Sequence, residues 1–305
     1  MCIRDRNWRV ECQKISRGIR ERVLEHTINH GGYLSQACSS AEIFSILYNK
    51  SMKLGPSEGL FSTHKFKGTP SVNNPHPQKG FLYNGAKNPD LDRFFLSPSH
   101  YALTLYAALI ETKRLNYKSL KEFNKDGSVL DMIGSEHSPG HETNGGSFGQ
   151  TISQAAGVAW ARRRKKEKGL VWLFLSDGEF QEGQTWEALM SMAFHKISNL
   201  KIVVDVNGQQ VDGKTCDVMN LEPLLEKISS FGACVKQVDG HDLVALNNAF
   251  RTIHQDKPLV VLAKTSPFRG MEILEKRYPF LHYVRFKDEN EKEEFKSFLN
   301  DMKLR

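Results

Sequence analysis

No stretch of the chain approaches the roughly 18 consecutive apolar residues of a membrane helix, and the opening MCIRDRNWRV carries arginines with no apolar run behind them. That pattern argues against both a membrane span and a secretory leader. Cysteine is scarce and scattered: Cys2, Cys12, Cys38, Cys216 and Cys234 make no CxxC pair and no cysteine–histidine set at metal-site spacing. An odd, dispersed set excludes a disulfide framework as the organising principle, and reduced, mostly structural thiols in a cytoplasm are the expectation. Zinc-finger and RNA-module spacings are also missing, which bears on the net charge of +7. The 42 basic residues are mixed with 35 acidic ones, and the one dense basic run, Arg162 to Lys168, falls at the end of a predicted helix, where cations suit the helix dipole. A solvated helix end is expected there, and no nucleic-acid partner.

What is present is the composition of an ordinary soluble globular protein: 305 residues, 39% hydrophobic and 25% charged, enough for one large α/β domain or two smaller ones. Val10, Ile15, Ile19, Val23, Leu24 and Ile28 recur at helical spacing, and Gly31-Gly32 separates them from a second helical run, Ala41 to Tyr48. Residues 55–90, with Asn73-Asn74-Pro75-His76-Pro77 at their centre, show no sustained apolar period and read as a long surface excursion. A helix from Ser99 to Lys113 and a glycine-rich segment from Gly134 to Gly149 follow, the latter opening a helix at Gln150. Beyond it, apolar runs Val171–Leu175, Ile202–Val206, Cys234–Val238 and Leu259–Ala263 alternate with helical stretches Trp186–His195, Leu221–Phe231 and Leu243–His254. Such alternation predicts an α/β fold with a parallel sheet flanked by helices. Residues 1–7 match no element and are expected to be a disordered extension or artefact. Residues 8–286 are read as the main domain, and 287–305 as a charged terminal helix with Phe295, Phe298 and Leu299 on one face.

In an open parallel sheet, ligands bind beyond the carboxyl ends of the strands. VWLFLSDGEFQEG puts Asp177-Gly178 at that end of one strand, and KIVVDVNGQQVDG puts Asn207 at that end of the next. A carboxylate, an amide oxygen and a backbone carbonyl are the hard oxygen donors that Mg²⁺ or Ca²⁺ prefers, with phosphate oxygens completing the shell.

Here the chain resembles a known family. Thiamine-diphosphate enzymes share a motif that begins Gly-Asp-Gly and ends in Asn about thirty positions after the Asp; Asp177 and Asn207 have that separation, with Ser176 in the first glycine's place. The longer block SDGEFQEGQTWEALMSMAFHKISNLKIVVDVNGQQVDG is similar to the transketolase version almost throughout. The resemblance implies a diphosphate-binding α/β domain in which Asp177, Asn207 and the main-chain oxygen of Gln209 hold Mg²⁺, or Ca²⁺, against thiamine diphosphate, with Gly178 and Glu179 in the same cofactor block. It implies Glu182 as the acidic residue at the subunit interface. His195 is expected to be a packed or surface histidine within its helix.

RFFLSPSHYALTLYAAL resembles the family's Ser-x-Gly-His block, with Ser99 replacing the glycine, and implies that His100 lies near the diphosphate and the reacting carbon. SPGHETNGGSFGQTISQAAGVA resembles the Pro-Gly-x-Glu…Gly-x-x-Gly-Gln block and implies Gly146 as a cofactor contact, where glycine admits a close backbone approach. LVVLAKTSPFRGMEILEKRYPFLHYV resembles the Lys-Thr segment and the active-site histidine after it, implying Lys264-Thr265 and His282. Two departures stand out. In HGGYLSQACSSAEI, Tyr33 takes the place of a family substrate histidine, and the Gly-His-Pro block is shortened, leaving His137 or His141 as substitutes.

The resemblance further implies two-carbon ketol transfer from a ketose, or ketose phosphate, to an aldehyde. The glutamate that activates the cofactor's pyrimidine would come from a second, separately encoded subunit in an α₂β₂ assembly, without which this chain is expected to be inactive. The decarboxylating component of a 2-oxo-acid dehydrogenase complex uses the same anchoring motif and stays open as an alternative, as does a non-catalytic cofactor-binding subunit.

Overall fold

The computed structural model describes residues 3–304 except residue 64. A central sheet holds five parallel strands: β1 (Arg93–Leu96), β2 (Val171–Ser176), β3 (Leu200–Val206), β6 (Cys234–Asp239) and β7 (Leu259–Lys264), in the order β1-β2-β3-β7-β6. A two-residue hairpin, β4 (Gln209–Gln210) with β5 (Gly213–Lys214), follows β3. The helices are α1 (Ile3–His30), α2 (Leu34–Ile46), α3 (Ala102–Glu111), α4 (Gln150–Arg164), α5 (Gly183–Phe194), α6 (Thr215–Val218), α7 (Leu224–Ser230), α8 (Leu243–Phe250) and α9 (Glu289–Leu304). The parallel sheet flanked by helices is therefore as expected, while β1 is a strand the sequence did not reveal. α1 begins inside the stretch 1–7 that composition set apart; residues 1 and 2 of that stretch lie outside the described residues.

Strand alternation sorts the core onto two faces. Phe94, Leu96, Trp172, Phe174, Val203 and Val261 point into one buried cluster with α1, α2, α3, α8 and α9. Phe95, Val171, Leu173, Leu175, Ile202, Val204 and Val260 point into the other, with α4, α5 and α7. β2 is buried at every position, as a strand covered on both faces must be. Each such side chain taken fully out of water contributes about 1.5–3 kcal/mol. In α1, Cys12, Ile15, Ile19, Val23 and Ile28 form the buried stripe, whereas Val10, expected to share it, is 62% exposed. Phe295 and Leu299 anchor α9, with Phe298 packed beside them.

Two expectations are corrected in part. The basic run is not wholly solvated: Arg162 is buried and its Nη2 donates to the carbonyls of Asn88, Pro89 and Leu91 at 3.1, 3.0 and 2.8 Å, closing the loop before β1. The excursion over 55–90 is not all surface either. Tyr83 is fully buried with its hydroxyl on the Leu60 carbonyl at 2.7 Å, and Arg114 Nη1 donates to the carbonyls of Gly55 and Tyr83 at 3.0 and 2.8 Å. Its last turn is strapped to the glycine-rich segment, Gly80 N donating to Glu136 O at 2.7 Å and Gly140 N to Gly80 O at 2.9 Å.

Candidate functional site

The carboxyl ends of four adjacent strands supply the site. Ser97 and His100 follow β1, Asp177 to Glu179 follow β2, Asn207 follows β3, and Thr265 follows β7. Because β1, β2, β3 and β7 lie side by side and parallel, residues distant in sequence meet on one rim.

Asp177 is 3% exposed, and its pKa is raised to about 7, first by burial and then by the nearby carboxylate of Asp205. Its Oδ1 accepts from Gly178 N at 2.9 Å; its Oδ2 accepts from Gly208 N at 3.0 Å and from the Thr215 hydroxyl at 3.3 Å. Neither Asp177 nor Asp205 takes part in a salt bridge among the described residues, though the His241 imidazole, 2.9 Å from Glu42, partly offsets the burial of Asp205. Burial and the neighbouring Asp205 carboxylate make ionising Asp177 costly, and a divalent cation relieves that cost. A Cβ built on Gly178 or Gly208 would meet nothing within 4 Å, so there is room beside both. Asn207 lines the same cavity as Asp177 and Gly208, and its Oδ1 accepts from Gln209 N at 2.9 Å. Among the described residues no cluster of three or more His, Cys, Asp or Glu side chains could hold a metal. A cation here would instead use one carboxylate, one amide oxygen and one backbone carbonyl, a donor set suited to Mg²⁺ when phosphate oxygens share the shell.

The glycine-rich segment forms the opposite wall. Gly146, at φ +96°, donates its N–H to Ser97 O at 3.3 Å and lies beside Ser99. Gly149, at φ +79°, caps α4 and donates to Glu179 Oε1 at 3.1 Å. Glu179 itself is wholly buried beneath the rim. It also accepts from the Ser97 hydroxyl, and burial raises its pKa to about 7. Its carboxyl thus ties β1, β2 and the start of α4 together. Glu182 is exposed at the N-terminus of α5.

A second group gathers above His100. The chain at Gly32 pairs with Val284 through hydrogen bonds of 3.0 and 2.9 Å, and the Ser35 hydroxyl reaches Leu281 O at 3.0 Å. This clamp brings Tyr33 and His282 to His100: ring centroids lie 5.0 Å apart for His100 and His282, 5.2 Å for Tyr33 and His282, and 5.8 Å for Tyr33 and His100. Burial first, and His282 second, lower the His100 pKa to about 3, and burial also lowers that of His282. Both rings are neutral at pH 7, each with one N–H and one lone pair.

The structure leaves other sequence candidates apart from this group. His137 pairs with Asp131 at 2.8 Å and stacks on Phe66 at 4.1 Å, and His141 is buried against Tyr106. Lys264 pairs with Glu222 at 3.1 Å and Thr265 reaches Asp205; all three of Lys264, Glu222 and Thr265 line the cavity that holds Asp177 and Asn207. His195 is exposed at the C-terminus of α5, not within the helix, and its ring lies 5.3 Å from Trp160. Asp205 was missed. Its signal was an acidic residue in the middle of the apolar string KIVVDV, where an unpaired charge is rare.

Comparisons with known proteins show the family and the fold. Residues 81–271 match the family described as transketolase, thiamine diphosphate binding domain. A transketolase family protein of Sinorhizobium fredii is 34% identical over 265 residues, covering 84% of this chain and 85% of that protein. One subunit of the apulose-4-phosphate transketolase of Actinobacillus succinogenes is 28% identical over 285 residues, covering 92% and 94%. The 6-deoxy-6-sulfo-D-fructose transketolase subunit SqwG of a Clostridium species is 30% identical over 275 residues, covering 87% and 88%. Among solved structures, the fold superposes on transketolase of Campylobacter jejuni with a TM-score of 0.72 at 20% identity, over all of this chain and 47% of that one.

Proposed function

The chain belongs to the transketolase family and carries its thiamine diphosphate-binding domain, and on that basis we propose that it anchors the cofactor's diphosphate through Mg²⁺, with Ca²⁺ as a substitute, for transfer of a two-carbon ketol unit from a ketose to an aldehyde. The observation that carries this reading is the buried Asp177, set beside Asp205 and outside any salt bridge among the described residues, with Asn207 lining the same cavity. Asp177, Asn207 and the Gln209 carbonyl are the ligands we assign, and Gly146, Gly178 and Glu179 shape the cradle around the diphosphate.

When bound, the cofactor supplies the carbon nucleophile and electron sink that carbon–carbon cleavage requires. The protein's share is binding, orientation and exclusion of water. His100 and His282, neutral and 5.0 Å apart, can each donate one hydrogen bond to a substrate oxygen and accept another. Tyr33 closes the same chamber with a ring and a hydroxyl whose pKa burial raises, so it serves as a donor and not as a base at neutral pH. Relatives named for apulose 4-phosphate and 6-deoxy-6-sulfo-D-fructose support a ketose with an anionic end as the substrate class. Their naming as subunits supports a separately encoded partner that completes the site, in an α₂β₂ assembly with Glu182 at the interface. We assign residues 8–286 to the diphosphate-binding domain.

Calorimetry of thiamine diphosphate binding, with and without Mg²⁺, tests the reading. Metal-dependent binding by the wild type, lost in Asp177→Ala, is the expected result. A folded wild type that ignores the cofactor, alone and beside its partner, would refute it. Product analysis with a ketose phosphate against a 2-oxo acid then separates ketol transfer from decarboxylation.

A further inference from the structure

Asn207 can serve a cation with only one end of its side chain. The amide oxygen is a ligand; the amide nitrogen is a donor and repels a metal. The two ends are nearly equal in size, so shape alone does not choose between them. A specific set of neighbours must do so.

Asp205, two residues earlier in β3, is fully buried. Four donors from four parts of the fold converge on its carboxylate. The Ser39 hydroxyl of α2 reaches Oδ2 at 2.5 Å, the Tyr101 hydroxyl after β1 reaches the same oxygen at 2.8 Å, and the Thr265 hydroxyl after β7 donates to Oδ1. The fourth donor is Asn207 Nδ2, 3.3 Å from Oδ2 and 3.1 Å from the Tyr101 oxygen. Tyr101 is itself fully buried, and its hydroxyl, which donates to Asp205, has lone pairs left to accept from the amide. With Nδ2 held by these acceptors, Oδ1 is the end left for a cation in the cavity Asn207 shares with Asp177; Gln209 N uses one of its two lone pairs. Turning the amide over would set Oδ1 against the oxygen of a fully buried carboxylate and would aim an N–H₂ at the cation.

We infer that Asp205, held by Ser39, Tyr101 and Thr265, is a positioning residue that fixes the amide of Asn207 with its oxygen toward the metal. The inference rests on the cofactor-anchoring reading above and adds a residue that does not touch cofactor or substrate. It also gives Thr265, which lines the cavity with Asp177 and Asn207, a part in holding Asp205.

The test is a Mn²⁺ titration of the chain, alone and with its partner subunit, in the presence of thiamine diphosphate, read by electron paramagnetic resonance, with circular dichroism to establish folding. Asp205→Asn removes the anionic acceptor at nearly constant shape. Loss of an outer partner of a ligand typically weakens metal binding about 10- to 100-fold, and a loss of that order is expected. The charge-conserving swap Asp205→Asn with Asn207→Asp is the decisive comparison. Either oxygen of the new carboxylate at 207 can bind the metal, so orientation no longer matters, and the swap should recover most of the lost affinity. A purely structural role for Asp205 would show no such recovery. If Asp205→Asn does not fold, Tyr101→Phe, which removes the nearest of the three acceptors of Nδ2 and leaves Ser39 Oγ at 3.5 Å, should weaken Mn²⁺ binding with the fold intact. Unchanged affinity in Asp205→Asn, or in Tyr101→Phe where that variant takes its place, overturns the inference. A swap that binds no better than Asp205→Asn does the same. Wild-type protein that binds no Mn²⁺ with the cofactor, alone and beside its partner subunit, overturns the anchoring reading itself, and this inference with it.

Discussion

Burying a histidine without a charged partner makes stability depend on pH in a definite direction. His141 is 1% exposed, and burial lowers its pKa from 6.5 to about 4. The unfolded chain therefore binds a proton at pH 5 that the folded chain does not, so stability falls as pH drops through 6.5 toward 4. His141→Gln removes that proton uptake. Between pH 7 and 5 the wild type should lose about 2 kcal/mol more stability than the variant, measured by urea unfolding at each pH; equal losses would show that the imidazole is not held neutral. At this scale the sequence was readable where the chemistry sits in one contiguous motif, as with Asp177 and Asn207. It was opaque where meaning comes from neighbours far along the chain. Asp205 acquires its partners from residues 39, 101 and 265, and nothing in its own string announces them.

Elements were legible in proportion to their length and period. α1 and the strands β2, β3, β6 and β7 follow from apolar spacing, but β1 is only four residues long and was absorbed into the motif that follows it. The excursion before β1 shows a different limit, since a segment without period can still be pinned by backbone contacts. A Cβ on Gly80 would lie 1.9 Å from the Ser138 carbonyl oxygen and 2.8 Å from that of His141. Gly80→Ala should therefore push the strap off the glycine-rich segment at a cost of about 1–3 kcal/mol. It should also open the peptide bonds after Lys65, Lys67 and Lys79 to trypsin. A digestion pattern and a melting temperature identical to wild type would mean that the strap is not held by this contact. Arg162 teaches the same lesson: its charge marked a helix end, and only the fold shows three carbonyls waiting for it.

For the whole molecule, one sheet serves two hydrophobic clusters, with alternate residues of β1, β2, β3 and β7 in each. Neither cluster can be lost while the strands persist, so the tryptophan-fluorescence and far-UV circular-dichroism transitions in urea should coincide. Separated midpoints would mean that the two faces melt independently. Amide exchange should be slowest in β2 and β3, which lie inside the sheet and are covered on both sides. No helix among the described residues is long and apolar enough to cross a membrane.

The unneutralised pair Asp177 and Asp205 reaches beyond catalysis. A fold that keeps two carboxylates buried close together is at its least secure when empty, and a ligand that binds only the folded state and brings a cation to Asp177 shifts the balance by mass action. On the anchoring reading, the empty protein opens more often and is degraded sooner than the filled one. Its abundance in a cell would then follow the supply of the vitamin from which the cofactor is made, so that starvation for thiamine depletes the protein along with its activity.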